Sequence, residues 1–219
     1  MHPISLPLPS RCVRSRAGNC AGFTLVEAMI ALAVFAIVLA MGVPRMSDWL
    51  AATRAAAATQ FYAEGLALAR AQALAHNGAS RLVLIENAIS GQYDWRVDLC
   101  FPTPESPCND EDGNWSTVSE PVRPAQASGA GVTSIVRSAD ALPDTARLAV
   151  STGPDEATSV YFTPLGWVDT LAGTRMMRID LAPAGEAAFP AASVVLTLAG
   201  VASRCDPAAP AGDARRCPA

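Results

Sequence analysis

Residues 21–43 read AGFTLVEAMIALAVFAIVLAMGV, and the reading of this stretch decides the fold. From Phe23 to Val43 only Thr24 and Glu27 are plainly polar. As a helix rising about 1.5 Å per residue, the run is roughly 30 Å long, the thickness of a bilayer core. Arg11, Arg14 and Arg16 precede it, no acid does, and the next charge after it is Arg45. Basic residues flanking a span stay in the cytoplasm. The N-terminus is therefore expected there, at the inner membrane, with the rest of the chain translocated to the periplasm.

Three plainer readings compete. A secretory signal peptide has a short apolar stretch followed by a small-residue cleavage site, whereas this stretch is long and runs on into an alanine-rich helical segment. A simple single-span anchor leaves Glu27 unexplained, because a carboxylate within a spanning helix costs a few kcal/mol. A buried helix of a soluble domain is hard to square with so long an apolar run. A partner for the Glu27 charge is the better expectation.

Ala21-Gly22-Phe23-Thr24-Leu25-Val26-Glu27 resembles the type IV prepilin processing site, a glycine followed by phenylalanine, threonine, leucine and a glutamate, between a basic leader and an apolar helix. The resemblance implies that a membrane prepilin peptidase cuts between Gly22 and Phe23 and methylates the new amine of Phe23. It also implies that Glu27 pairs with an N-terminal amine inside a filament core. A buried carboxylate and ammonium are tolerable together and costly apart, which suits a device for axial register more than a source of net stability. Residues 1–22 are then the leader and 23–43 the membrane half of a long first helix.

Beyond the apolar run, Pro44 removes a backbone donor and crowds the preceding turn, so a kink or local melt is expected there. The resembled family has a proline at a similar place, and Pro44 is therefore assigned, with Glu27, to assembly. Residues 44–78 then read as the periplasmic half of the helix, rich in alanine and leucine with no proline before His76. Leu50, Ala57, Phe61, Leu68 and Leu74 are spaced for one buried stripe, and Phe61, Tyr62 and Leu66 are expected to anchor the helix on the domain behind it. Asn77-Gly78 is a helix stop. His76, in the last turn, reads as structural.

From Ser80 the pattern changes to short β-branched and aromatic runs between Gly, Pro, Asp and Asn clusters, the mark of an antiparallel sheet domain over residues 79–202. The candidate strands are Arg81–Glu86, Gln92–Leu99, Thr133–Val136, Arg147–Val150, Ser159–Phe162, Arg175–Leu181 and Ser193–Leu198. Nothing suggests parallel βαβ units. The fold class is α+β, a long N-terminal helix packed on a C-terminal antiparallel sheet, and this plan resembles the GspH/FimT branch of pilin-like proteins.

The six cysteines fall into three sequence pairs: Cys12 with Cys20, Cys100 with Cys108, and Cys205 with Cys217. The last two pairs would each close a short loop, as small disulfides of exported domains do. Zinc sites use tighter cysteine spacing with histidine or further cysteines nearby, and the only histidines, His2 and His76, are distant in sequence. Disulfides and an oxidising compartment are expected. Asp110-Glu111-Asp112, with Asn109 and Asn114, offers oxygen atoms, but calcium-loop spacing is absent and solvated loop acids are commoner. No metal or cofactor is called for. No phosphate-binding glycine loop, dinucleotide fingerprint or nucleophile–histidine–acid set is evident, so the sequence points away from an enzyme.

Charge bounds the partners. All 16 basic residues are arginine, against 20 acids. The chain beyond Gly22 carries about −7, which argues against general nucleic-acid affinity. The resemblance implies assembly with a major pilin and other minor pilins or pseudopilins. Three functions follow from it: a minor pilin priming or capping a type IV pilus, a minor pseudopilin of a type II secretion system, or a pilus-tip subunit that takes up DNA. The last rests on residues 203–219, read as a disulfide-tied tail. There Arg204, Arg215 and Arg216, following Gly200, are similar to the glycine–arginine ending of the FimT-like branch, although Val201-Ala202-Ser203 stands where an arginine would closely follow the glycine. The structural alternative is a tied terminus with solvated arginines.

Overall fold

The computed structural model describes residues 24–125, 128 and 130–218. Its elements are α1 (Leu25–His76), β1 (Ala79–Glu86), β2 (Tyr93–Cys100), β3 (Ile135–Arg137), β4 (Leu148–Gly153), β5 (Ser159–Phe162), β6 (Arg178–Pro183), β7 (Ala192–Leu196) and β8 (Ala202–Cys205). The class is α+β, an apolar N-terminal helical segment followed by an antiparallel β domain. The chain divides into two compact units, residues 1–43 and 44–219.

In the first unit, Leu25–Val43 is an apolar helical segment of mean hydropathy 2.5, none of whose residues is buried. Leu25, Met29, Leu32, Phe35 and Ile37 are all exposed. So much uncovered apolar surface is unfavourable in water, at about 25 cal/mol per Å²; this segment fits a bilayer or a bundle of other helices. The local melt expected at Pro44 does not occur, because the helix is unbroken across it. Proline costs a helix one rung of its ladder, but its fixed φ is close to the helical value.

In the second unit two four-stranded sheets form, in the orders β3-β2-β1-β5 and β4-β6-β7-β8, with every pairing antiparallel. Residues 44–76 of α1 lay one row of small and apolar side chains on them: Ala55, Ala58, Tyr62, Leu66, Ala69 and Ala73. These lie three to four positions apart, the spacing of one helix face. The stripe read from sequence is corrected here, since Leu50, Ala57 and Leu74 are exposed. Small residues line the contact because they let the helix axis come close to the sheet. Gly65 is the extreme case: a Cβ there would stand 2.8 Å from Leu82 Cδ1 and 3.0 Å from the Trp95 ring. Phe61, Tyr62 and Leu66 are buried as expected.

Polar bonds fix the helix in place. Trp95 Nε1 donates to the Phe61 carbonyl at 3.0 Å, Ser80 Oγ to Ala69 O at 2.6 Å, and the Tyr93 N–H to the Tyr62 hydroxyl at 3.3 Å. The helix ends in a Schellman motif. Asn77 is left-handed at φ 47°, its N–H reaches Leu74 O, and the Gly78 N–H reaches Ala73 O.

Several strand limits differ from the sequence reading. Thr133–Val136 gives way to Ile135–Arg137 because the Ser134 N–H and hydroxyl are taken by Thr117 O and Ser116. Arg175–Leu181 shortens at its start, since the Met176 N–H bonds Ser159 O of one sheet and the Met177 N–H bonds Gly153 O of the other. Met176 is therefore buried between the sheets. β8 appeared in no sequence reading. It pairs with β7 from Ser193↔Cys205 to Leu196↔Ala202, after a turn that holds Gly200 at φ 77°.

Candidate functional site

The N-terminal site begins at the first described residue. Gly22 and Phe23, the expected cleavage point, lie outside the described residues, as do Cys12 and Cys20. Thr24 stands just before α1 and caps it. Its Oγ1 accepts the Glu27 N–H at 3.2 Å and its carbonyl accepts the Ala28 N–H at 3.1 Å. Glu27 is thus the third helical residue, and Thr-x-x-Glu is the capping-box spacing. A carboxylate there also meets the positive end of the helix dipole. Glu27 is exposed, on a segment whose other faces are apolar. The geometry places a carboxyl group at the head of an apolar helix.

Matching against protein families agrees with this geometry. Residues 18–43 match the prokaryotic N-terminal methylation motif. The chain has a prepilin-type N-terminus. The motif is the N-terminal signature of type IV pilin-like and pseudopilin-like proteins, and it is compatible with membrane anchoring and with processing by prepilin peptidase. No curated protein and no solved structure matches the chain.

Four of the six cysteines and the C-terminal arginines lie in the second unit. Cys100 is joined to Cys108 and Cys205 to Cys217. The first disulfide fastens the loop after β2, whose Asn109 Oδ1 accepts the N–H groups of Glu111 and Asp112. Asp110 accepts the Tyr161 hydroxyl and Trp115 Nε1 donates to Asn109 O at 3.2 Å, so the acidic loop is stitched to the sheet. Among the described residues, no group of three or more His, Cys, Asp or Glu side chains is placed to hold a metal.

The three arginines are not engaged alike. Arg204, on β8, donates to Gln60 of the helix. Arg215 is paired with Asp213 at 2.8 Å, and that pairing holds the Asp213 carboxyl below its ordinary range. Arg216 makes no side-chain bond among the described residues, and its backbone bridges Asp206. His76 is the last residue of α1, half-buried.

Sequence reasoning missed two features. Thr24 as cap was legible in Thr-x-x-Glu, overlooked because the same letters spell the processing motif. Asp98 was missed altogether: fully buried, it accepts from Arg81 Nε at 2.9 Å and Arg96 Nε at 2.8 Å. Arg81 also lies 4.5 Å over the Trp115 ring, closing that face of the sheet. Only Arg81 opposite Asp98 across two strands signals it, and register is invisible before the strands are paired.

Proposed function

We infer that the chain is a minor pilin of a type IV pilus. It is cut between Gly22 and Phe23 by prepilin peptidase, methylated on Phe23, and primes or caps filament assembly with other minor pilins and the major pilin. The observation that carries this reading is the methylation motif at residues 18–43, placed at the head of an uncovered apolar helix. Before assembly the helix sits in the inner membrane, and the β domain, tied by two disulfides that need an oxidising compartment, lies in the periplasm. In the filament the same apolar surface meets the helices of neighbouring subunits, and the Glu27 carboxylate receives a subunit's N-terminal amine. The charge pair then selects axial register, because a mismatched subunit would bury one charge without the other.

The test is intact mass and N-terminal sequencing of the membrane-extracted chain, with and without prepilin peptidase. A mature chain beginning at methylated Phe23 supports the reading. An uncut N-terminus, or cleavage near Gly42, refutes it in favour of a plain anchor or a signal peptide.

A further inference from the structure

A groove of about 370 Å³ opens in the second unit beside residues 50–54 of α1. Leu50, Ile89 and Phe189 give it apolar walls, while Arg54, Arg147, Asp140 and Asp144 bring two positive and two negative side chains to the same lining. Ile89 is 78% exposed. It is held out by a rigid turn rather than a loose one. Asn87 Oδ1 accepts the N–H groups of Ile89 and Ser90 at 2.9 Å, and Gly91 supplies the left-handed residue that returns the chain to β2. Ile89 does not stand alone: with Leu50 and Phe189 it lines one apolar patch with polar residues around it, the kind of surface that marks an interaction site.

Neither arginine is in an ion pair among the described residues. Asp140 is held by Asn87 Nδ2 at 2.7 Å, and this bond, with one from Ser138, keeps its carboxyl below the ordinary range and therefore charged. The lining offers guanidinium donors for a phosphate and carboxylate acceptors for an ammonium, with no net charge to spare. It also lies close to the bilayer by chain length alone. Leu50 follows Val43, the end of the apolar span, by seven positions. Seven residues reach at most about 25 Å, however the two units are arranged. The stretch between carries Arg45 and the 64% exposed Trp49, residue types that settle at the membrane–water interface.

We propose that this groove binds a phosphoethanolamine glycerophospholipid of the membrane that holds the apolar span. The phosphate lies on Arg54 and Arg147, the ammonium on Asp140 and Asp144, and the upper acyl chain against Leu50, Ile89 and Phe189. A choline headgroup has no N–H to donate to the carboxylates, and a glycerol headgroup sets a lone anion before them. The bound lipid holds the β domain down on the membrane before assembly and is surrendered when the subunit leaves the bilayer. The proposal rests on membrane anchoring and not on which filament the chain joins.

The test uses the full chain in vesicles, with a benzophenone photo-crosslinking residue in place of Ile89 and, in a second sample, in place of Leu171, itself 93% exposed. In phosphatidylethanolamine vesicles, irradiation is expected to give a phospholipid adduct at position 89 and about tenfold less at position 171. Replacing the lipid by phosphatidylcholine or phosphatidylglycerol lowers the position 89 adduct about tenfold, and so does Arg54→Gln with Arg147→Gln in the original lipid. Both arginines are exposed, so the double variant keeps its fold, and the lipid exchange needs no variant at all. Flotation with the vesicles reads the anchor separately. A floating chain with no adduct, or with equal adduct at both positions or in all three lipids, overturns the lipid site and leaves the anchor standing. A chain that does not float overturns both.

Discussion

Replacing Gly65 by alanine sets two effects of known size against each other. In a helix interior, alanine is favoured over glycine by about 1 kcal/mol. At Gly65 the added methyl would stand 2.8 Å from Leu82 Cδ1 and 3.0 Å from two atoms of the Trp95 ring, where ordinary contacts begin near 3.4 Å. Leu82 can turn its terminal methyl, but both side chains are buried in the main core. Trp95 is tethered by its bond to Phe61 O and packed against the Phe61 ring at a tilt of 47°, with centroids 5.8 Å apart. Overfilling a core by one methylene costs roughly 1–3 kcal/mol. The net expectation is destabilisation by about 1 kcal/mol, or a Tm lowered by about 2–4 °C. Urea unfolding of the detergent-solubilised chain, followed by tryptophan fluorescence, measures it. A cycle with Leu82→Ala isolates the clash: once the leucine is gone, Gly65→Ala should regain about 1 kcal/mol relative to its effect alone. Stabilisation by the single change, with additivity in the cycle, would show that helix and sheet do not meet as closely as described.

Removing either disulfide should weaken the β domain through the unfolded chain. Loops of 8 and 12 residues correspond to about 2.5 kcal/mol for Cys100→Ser with Cys108→Ser and about 3 kcal/mol for Cys205→Ser with Cys217→Ser, read as lower urea midpoints. Burial pushes the Tyr62 phenol up to about 12, only partly countered by the Tyr93 N–H bond. The folded chain then holds a proton that the unfolded chain releases near pH 10. This contribution, about 3 kcal/mol, is whole below pH 10 and fades as pH rises through 12. Absorbance titration should show Tyr62 ionising together with unfolding, and a phenol that titrates near 10 in the folded chain would contradict its burial. Glu27→Ala should leave membrane insertion intact and sharply reduce entry into filaments, scored by subunit content of sheared filaments; normal incorporation would remove the register role.

The apolar span and the processing motif were legible because each is written in consecutive residues. The existence of a β domain was legible too, since punctuated β-branched runs have no other ready reading. What stayed hidden depends on partners distant in the chain. Phe61, Tyr62 and Leu66 were legible as anchors, whereas the rest of the buried face is alanines and one glycine, which periodicity weighs lightly. β8 reads Ala-Ser-Arg-Cys and carries no apolar alternation; only the exposed edge of β7 makes it a strand. Asp98 looks like any surface acid until Arg81 and Arg96 are set against it. The groove beside Leu50 draws on α1, the β1–β2 turn and segments beyond residue 139, a convergence no local pattern announces.

The order of strands has a consequence for the birth of the protein. Chains emerge N-terminus first and fold as they emerge. The first sheet waits, because β1 must hold one side open until Ser159–Phe162 arrives to pair with it. The second sheet, β4-β6-β7-β8, instead adds each new strand beside the last one placed, with β5 leaving for the other sheet. It can grow as a zipper in step with delivery of the chain, and its final tooth is the segment locked by Cys205 and Cys217. Until that disulfide closes, β7 presents a bare edge to every other nascent copy. Once β8 has paired, the apolar edge of β7 is covered and the sheet ends instead on a short strand, Ala-Ser-Arg-Cys, whose arginine and lack of large apolar residues discourage pairing with another copy.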